Sequence, residues 1–110
     1  MITVISVNGI SVVALGGNVL IDDVDILEAK LNDAFDNGSR KYIVDFSDTD
    51  YICSYGLGVI AQLLKKVFEQ GGVVRFCAVG GKLKGVFETM QFTSIVGIDA
   101  TRDASFAEMK

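Results

Sequence analysis

One serine, Ser54, heads the run Ser54-Tyr55-Gly56-Leu57-Gly58, between an acidic turn and a long apolar-striped segment. A hydroxyl in that place can do two things. It can cap a helix, its oxygen accepting a backbone N–H from the first turn. It can also carry a phosphate, because the unpaired N–H groups and the dipole of a helix N-terminus favour an anion. Glycine costs about 1 kcal/mol relative to alanine inside a helix, so two of them in a first turn need a reason. They leave backbone N–H groups uncovered and allow another backbone to come close. Asp48 and Asp50, just upstream, could in principle act as paired catalytic carboxylates, but a solvated acidic turn suits their setting better.

Composition removes most other chemistry. The chain has no histidine, the commonest general base and metal ligand, so the usual triads and zinc sites cannot be assembled. Cys53 and Cys77 form no CxxC and read as two small buried apolar residues, with no disulfide expected in a cytosolic setting. The stretch Gly80 to Gly85, GGKLKG, lacks the spacing of a phosphate loop, and Lys82 and Lys84 are expected to face solvent or rim a protein contact. Asp45 at a strand end invites comparison with a phospho-accepting aspartate. The first strand, however, ends Ser6-Val7-Asn8-Gly9, with no acidic pair to hold magnesium. Phe87, Met90 and Phe92 are expected in the core. No catalytic residue, metal or cofactor is expected, and an independent enzyme is the least favoured outcome.

The formal charge is −4 and the sequence pI about 4.6. The basic pairs Arg40-Lys41, Lys65-Lys66 and Lys82/Lys84 are short and separate, whereas a nucleic-acid binder needs clustered cations; nucleic acid is not an expected partner. No apolar run reaches the roughly 18 residues of a membrane span, and no basic region precedes an apolar one at the start. A soluble cytoplasmic protein with no membrane insertion is expected. Its 110 residues suit one domain, 1–110, able to bury roughly two-thirds of its unfolded surface.

The elements that must position Ser54 follow from periodicity. Met1 to Val7 and Ile10 to Leu15 are apolar, β-branched runs around Asn8-Gly9, the pair that favours a type I′ hairpin turn. From Asp22 the spacing becomes helical, with Val24, Leu27, Leu31, Ala34 and Phe35 on one face. Asp22 or Asp23 is expected to cap that helix and Asn37-Gly38 to stop it. Tyr42 to Phe46 reads as a strand. A second helix, striped by Leu57, Ile60, Ala61, Leu64, Val67 and Phe68, opens at Ser54 as its N-cap and ends at Gly71-Gly72. Val73 to Val79 reads as a strand buried on both faces. A short helix through Leu83, Val86, Phe87 and Met90 follows, then a strand at Ile95 to Ile98 and a terminal helix over 102–110. The order β-β-α-β-α-β-α-β-α predicts a single-domain α/β fold: an N-terminal hairpin, a mixed but mostly parallel sheet of four to five strands, and about four helices.

In this setting the segment VDFSDTDYICSYGLGVIAQLLKKVFEQGGVVRFCAV resembles the core of the STAS domains, the anti-sigma factor antagonists and their relatives. Val44-Asp45-Phe46-Ser47 matches the family's strand end, and Ser54, Gly56, Leu57 and Gly58 match its turn. Gly71-Gly72 with Val73 to Val79 matches the piece after the helix, and the opening hairpin and Gly81 to Phe92 also fit. The resemblance covers essentially the whole chain. It implies a non-catalytic regulatory module that docks on a serine kinase doubling as an anti-sigma factor and is switched by phosphorylation of a hydroxyl before Gly-Leu-Gly.

Three positions depart from the pattern. Tyr55 fills the slot where many members carry the phosphorylated residue, Cys53 replaces an acid, and Leu20 stands where an Asp is usual. Ser54 is therefore the expected phosphorylation site. Asp22, Asp23, Cys53, Ser54, Tyr55, Gly56, Leu57 and Gly58 are the expected partner contact, and Asp25 extends its acidic part. Two other uses of the same turn stay open. One is a constitutive scaffold or assembly subunit, in a signalling or lipid-transport complex, with Tyr55 as the docking anchor. The other is binding of a small ligand or nucleotide. A homo-oligomer is compatible with either.

Overall fold

The structure, a computed structural model, describes residues 1–109. Five strands, β1 (Thr3–Val7), β2 (Ile10–Ala14), β3 (Lys41–Asp45), β4 (Val73–Cys77) and β5 (Gly97–Asp99), form one sheet in that spatial order. Only β1 and β2 pair antiparallel; every later pairing is parallel. The helices are α1 (Val24–Asp36), α2 (Ser54–Glu69), α3 (Gly81–Thr89) and α4 (Arg102–Glu108), with short 3-10 turns at Ile21–Asp23 and Phe92–Ser94. The expected element order is therefore present, and the mixed sheet, expected with four to five strands, has five; Lys110 of the expected terminal helix lies outside the described residues.

Local chemistry explains the sharpest turns. Asn8 and Gly9 both have positive φ, 52° and 79°, as a two-residue turn matched to strand twist requires. Gly38, at φ 99°, stops α1. Period-2 alternation then divides the sheet. Val13, Leu15, Tyr42, Val44, Phe46, Val74 and Phe76 face α1, α2 and α3, meeting Leu27, Leu31, Ile60, Leu64, Leu83 and Phe87 in the main core. Ile10, Ile43 and Cys77 face the other way, against Phe106 and Met109 at α4.

The strand at Val73 stops earlier than its apolar run suggests. Ala78 takes a left-handed φ of 56° and its N–H donates to the Asp99 carbonyl at 3.0 Å. The last strand starts two residues later and ends one later than expected, because Ile95, more than half exposed, still belongs to the turn after Phe92–Ser94. Asp23 stands at the N-cap position of α1, as expected, but its side chain makes no capping bond to that helix. The Asp23 carboxylate instead accepts the Leu20 N–H at 2.9 Å, closing the 3-10 turn just before that helix. Val86 and Met90, each 38% exposed, lie at the edge of the core rather than within it, while Phe87 and Phe92 are buried.

Polar groups fasten α4 to the sheet. Thr101 caps it, accepting the Ala104 N–H at 3.1 Å. The Arg102 guanidinium donates to Asp45 Oδ2 at 2.8 Å, whose other oxygen accepts the Ser47 N–H at 2.9 Å. Arg75 grips Asp99 with two bonds, 2.7 and 3.1 Å, and the buried Ser105 hydroxyl donates to the same carboxylate at 2.6 Å. Burial alone would raise the Asp45 pKa, but the Ser47 N–H and Arg102 outweigh it and hold the carboxyl below its ordinary range. Asp99 is held low first by Arg75, against the opposing effect of burial. Cys77 lies beneath this network. Burial, aided by the charge of Asp45, pushes its thiol up to about 11, so it stays protonated and inert.

Candidate functional site

The site forms where the carboxyl ends of β2 and β3 open onto the start of α2. Two loops meet there. Val19 from the first pairs with Ile52 from the second in a single parallel bridge; the Val19 N–H donates to the Tyr51 carbonyl at 3.0 Å and the Cys53 N–H to the Val19 carbonyl at 2.9 Å. The Asn18 side-chain oxygen accepts the N–H groups of Asp50 and Tyr51 at 2.9 and 3.2 Å. Thr49, buried, donates its hydroxyl to the Gly17 carbonyl at 2.8 Å. These ties make one rigid corner from segments more than thirty residues apart in sequence.

The bridge also sets where α2 begins. It keeps the chain extended through Cys53, at φ −66° and ψ 163°, so Cys53 is the N-cap and Ser54 the first helical residue. The expected cap role of Ser54 is thereby corrected: its hydroxyl makes no capping hydrogen bond. Its oxygen is left free at the positive end of a sixteen-residue helix, and the residue is exposed. Cys53 is half-buried rather than buried as expected, and both cysteines are free thiols.

The expected contact residues divide by direction. Ser54, Tyr55, Gly58 and Asp22 are exposed, Cys53, Leu57 and Asp23 half-buried, and Gly56 buried. Gly56 turns inward: a Cβ built there would lie 2.8 Å from Ile52 Cγ2 and 3.1 Å from Val19 Cγ1. It thus seats α2 on the bridge. Around a Cβ added at Gly58 there is open space. The two glycines should respond oppositely to alanine. Gly58→Ala is expected to stabilise by about 0.5–1 kcal/mol through helix propensity. Gly56→Ala is expected to destabilise by about 1–2 kcal/mol, overpacking exceeding the propensity gain. Urea unfolding midpoints check both signs.

Around Ser54 lies an apolar surface that the sequence reading only partly found. Tyr55 is 72% exposed, Ile21 60%, Leu20 53% and Tyr51 52%. Leu20 entered that reading only as a missing acid; Ile21 and Tyr51 did not enter it. No periodic signal marks them, because they sit in loops whose course depends on the Val19–Ile52 bridge. Exposed carboxylates of Asp22, Asp25, Asp48 and Asp50 rim this surface. The arrangement offers apolar anchors in the middle, acid at the margin and one free hydroxyl on helix amides. No group of three His, Cys, Asp or Glu side chains able to hold a metal occurs among the described residues, and no described helix is long and apolar enough to cross a membrane.

Comparison with known proteins agrees with this geometry. The STAS domain family model matches residues 1–105. BtrV of Bordetella bronchiseptica, an inferred anti-sigma factor antagonist, is 30% identical over 109 residues, spanning 99% of this chain and 94% of its own. An inferred anti-sigma factor antagonist from Thermotoga maritima superposes with a TM-score of 0.91 at 22% identity, over 97% of this chain and 92% of that one. The Bacillus cell fate determinant SpoIIAA, in its phosphorylated form, superposes with a TM-score of 0.82 at 19% identity, over all of both chains. These structural likenesses are likenesses of fold.

Proposed function

We propose, since the chain belongs to the STAS domain family, that it is a non-catalytic regulatory module. It binds a serine kinase of the anti-sigma factor type through the corner around Ser54, and phosphorylation of Ser54 switches that binding. The observation that carries this reading is the exposed Ser54 at the head of α2, seated on a buried bridge and ringed by exposed Leu20, Ile21, Tyr51 and Tyr55. The names of BtrV as an antagonist and of SpoIIAA in a phosphorylated form support it.

The physics of the switch is direct. A phosphate adds about −1.5 to −2 charges and three acceptor oxygens. At the first residue of α2 it can fold onto the helix's own amides, so the modified state is stable within the free protein. It also places charge in a surface already rimmed by Asp22, Asp48 and Asp50, where desolvating it against a partner is unfavourable.

Incubation with the cognate kinase and ATP, followed by phosphosite mapping, should place phosphate on Ser54 and on no residue of Ser54→Ala. Ser54→Asp is expected to weaken partner binding about tenfold or more, near 1.4 kcal/mol. Phosphate that persists in Ser54→Ala would reject the switch.

The exposure of Tyr55 favours a second reading, a constitutive assembly subunit. An aromatic ring with a polar tip is a common interface anchor. A pull-down with Tyr55→Ser and Ser54→Asp separates the two: the scaffold loses its partner with the first and tolerates the second.

A further inference from the structure

The two faces of the sheet are covered unequally. On one, α1, α2 and α3 press buried side chains onto β2, β3 and β4. On the other lies α4, over a strip whose buried members are Ile10, Ile43 and Cys77. Ser105 is the single buried residue of α4, and its hydroxyl is bound to Asp99 at 2.6 Å. Phe106 and, just after the helix, Met109 pack on the strip but are only partly buried. The hydrophobic gain follows the apolar area removed from water, so this face holds its helix far less firmly than the main core holds its three.

Ionic ties supply much of the rest. Both ion pairs found among the described residues lie at this helix. Arg102 reaches from α4 to Asp45 at the end of β3, and Asp99, held by Arg75, accepts from Ser105. Neither pair is sealed. The Arg102 side chain is 38% exposed and that of Arg75 22%, and water competes with a pair in such a setting.

Elements with few apolar contacts and polar ties within reach of solvent open at a lower free energy than the domain as a whole. We propose that α4 is a latch that opens as a unit while the rest of the fold stays intact, uncovering the Ile10–Ile43–Cys77 strip. The open form keeps the main core, because no residue of that core belongs to α4. It also keeps the corner around Ser54. The Val19–Ile52 bridge and the bonds of Asn18 and Thr49 involve no residue of α4, and Asp45, released by Arg102, still accepts the Ser47 N–H. Opening of the latch and partner binding at Ser54 can therefore be tested independently.

Cys77 reports the state of the latch. Closed, its thiol has no exposed surface and is held protonated, its pKa pushed up to about 11 by burial. Open, it meets solvent and regains the reactivity of an ordinary thiol.

Labelling with an aromatic disulfide reagent, in a Cys53→Ser background that leaves Cys77 as the one thiol, tests this. In dilute urea Cys77 is expected to react at a rate that barely depends on urea, because opening α4 exposes little surface. Only nearer the unfolding midpoint should the steep slope of global unfolding take over. Arg102→Met and Phe106→Ala loosen the latch, and each should speed the reaction in dilute urea about tenfold or more. Ile60→Val, in the main core, lowers global stability without touching α4 and should leave that rate unchanged. Amide hydrogen exchange on the unsubstituted chain guards against a variant that misfolds: amides of α4 should exchange with the shallow urea slope and those of β3 with the steep one. Cys77 labelling or α4 exchange that follows the global slope throughout, or labelling that Ile60→Val accelerates as much as Arg102→Met, would overturn the proposal.

Discussion

Phe76→Ala is expected to remove about 3–5 kcal/mol of stability, the range for truncating a large buried aromatic ring. That is a large share of the 5–15 kcal/mol typical of a domain. Phe76 lies on β4, flanked by β3 and β5, and is fully buried. Its ring meets Phe46 at 5.0 Å, Phe87 at 5.1 Å and Phe92 at 6.3 Å between centroids. Three of these rings come from different segments: the end of β3, α3 and the turn after it. A cavity there cannot be closed by moving one side chain. Such pairs also contribute about 0.5–1.5 kcal/mol beyond area burial, so the loss should fall at the upper end of the range. Phe76→Leu, which keeps most of the volume, should cost about 1–2 kcal/mol, and Val73→Ala, at an exposed position of the same strand, within about 0.5 kcal/mol. Urea titrations give the three values, and a constant m-value would assign them to the native packing.

That aromatic cluster shows what the sequence could and could not disclose. Each ring falls on a face that period-2 or helical spacing marks as apolar, so burial of Phe46, Phe76 and Phe87 was legible one element at a time. The hairpin was legible because Asn-Gly has few other backbone choices. The start of α2 was read one residue late in role: Ser54 has the better capping chemistry, yet a long-range bridge between Val19 and Ile52 keeps Cys53 extended. Tertiary hydrogen bonds overrode local preference. The same holds for the apolar surface around Tyr55. Leu20, Ile21 and Tyr51 have the composition of core residues, and only the path of the two loops turns them outward.

The polar fastening of α4 was the least legible feature, because its partners are distant in sequence. Asp45 and Arg102 are 57 positions apart and Arg75 and Asp99 are 24, and no periodicity links them. A helix of seven residues is too short to hold itself together in water. With few apolar contacts, through Phe106 and Met109, α4 depends on these ions.

Asp99→Ala is accordingly expected to cost about 2–3 kcal/mol at neutral pH, since it leaves the Arg75 guanidinium and the Ser105 hydroxyl without their shared acceptor. The value lies below that of a fully sealed ion pair because Arg75 keeps 22% of its side-chain exposure. It corresponds to a fall in melting temperature of roughly 10 °C for a chain of this size. The pH dependence tests the cause. The folded pKa of Asp99 is lowered from the ordinary 3.8, so its charge contributes stability fully above the unfolded value and loses it as pH falls through the folded one. Asp45, shifted the same way, remains in the variant and supplies the comparison. Melting curves of wild type and Asp99→Ala should therefore differ most above about pH 5 and draw together in acid as the wild-type carboxylate takes up its proton. A difference that held constant down to the acid limit would place the loss in packing of α4 and remove the ion network as the reason this helix stays on the sheet.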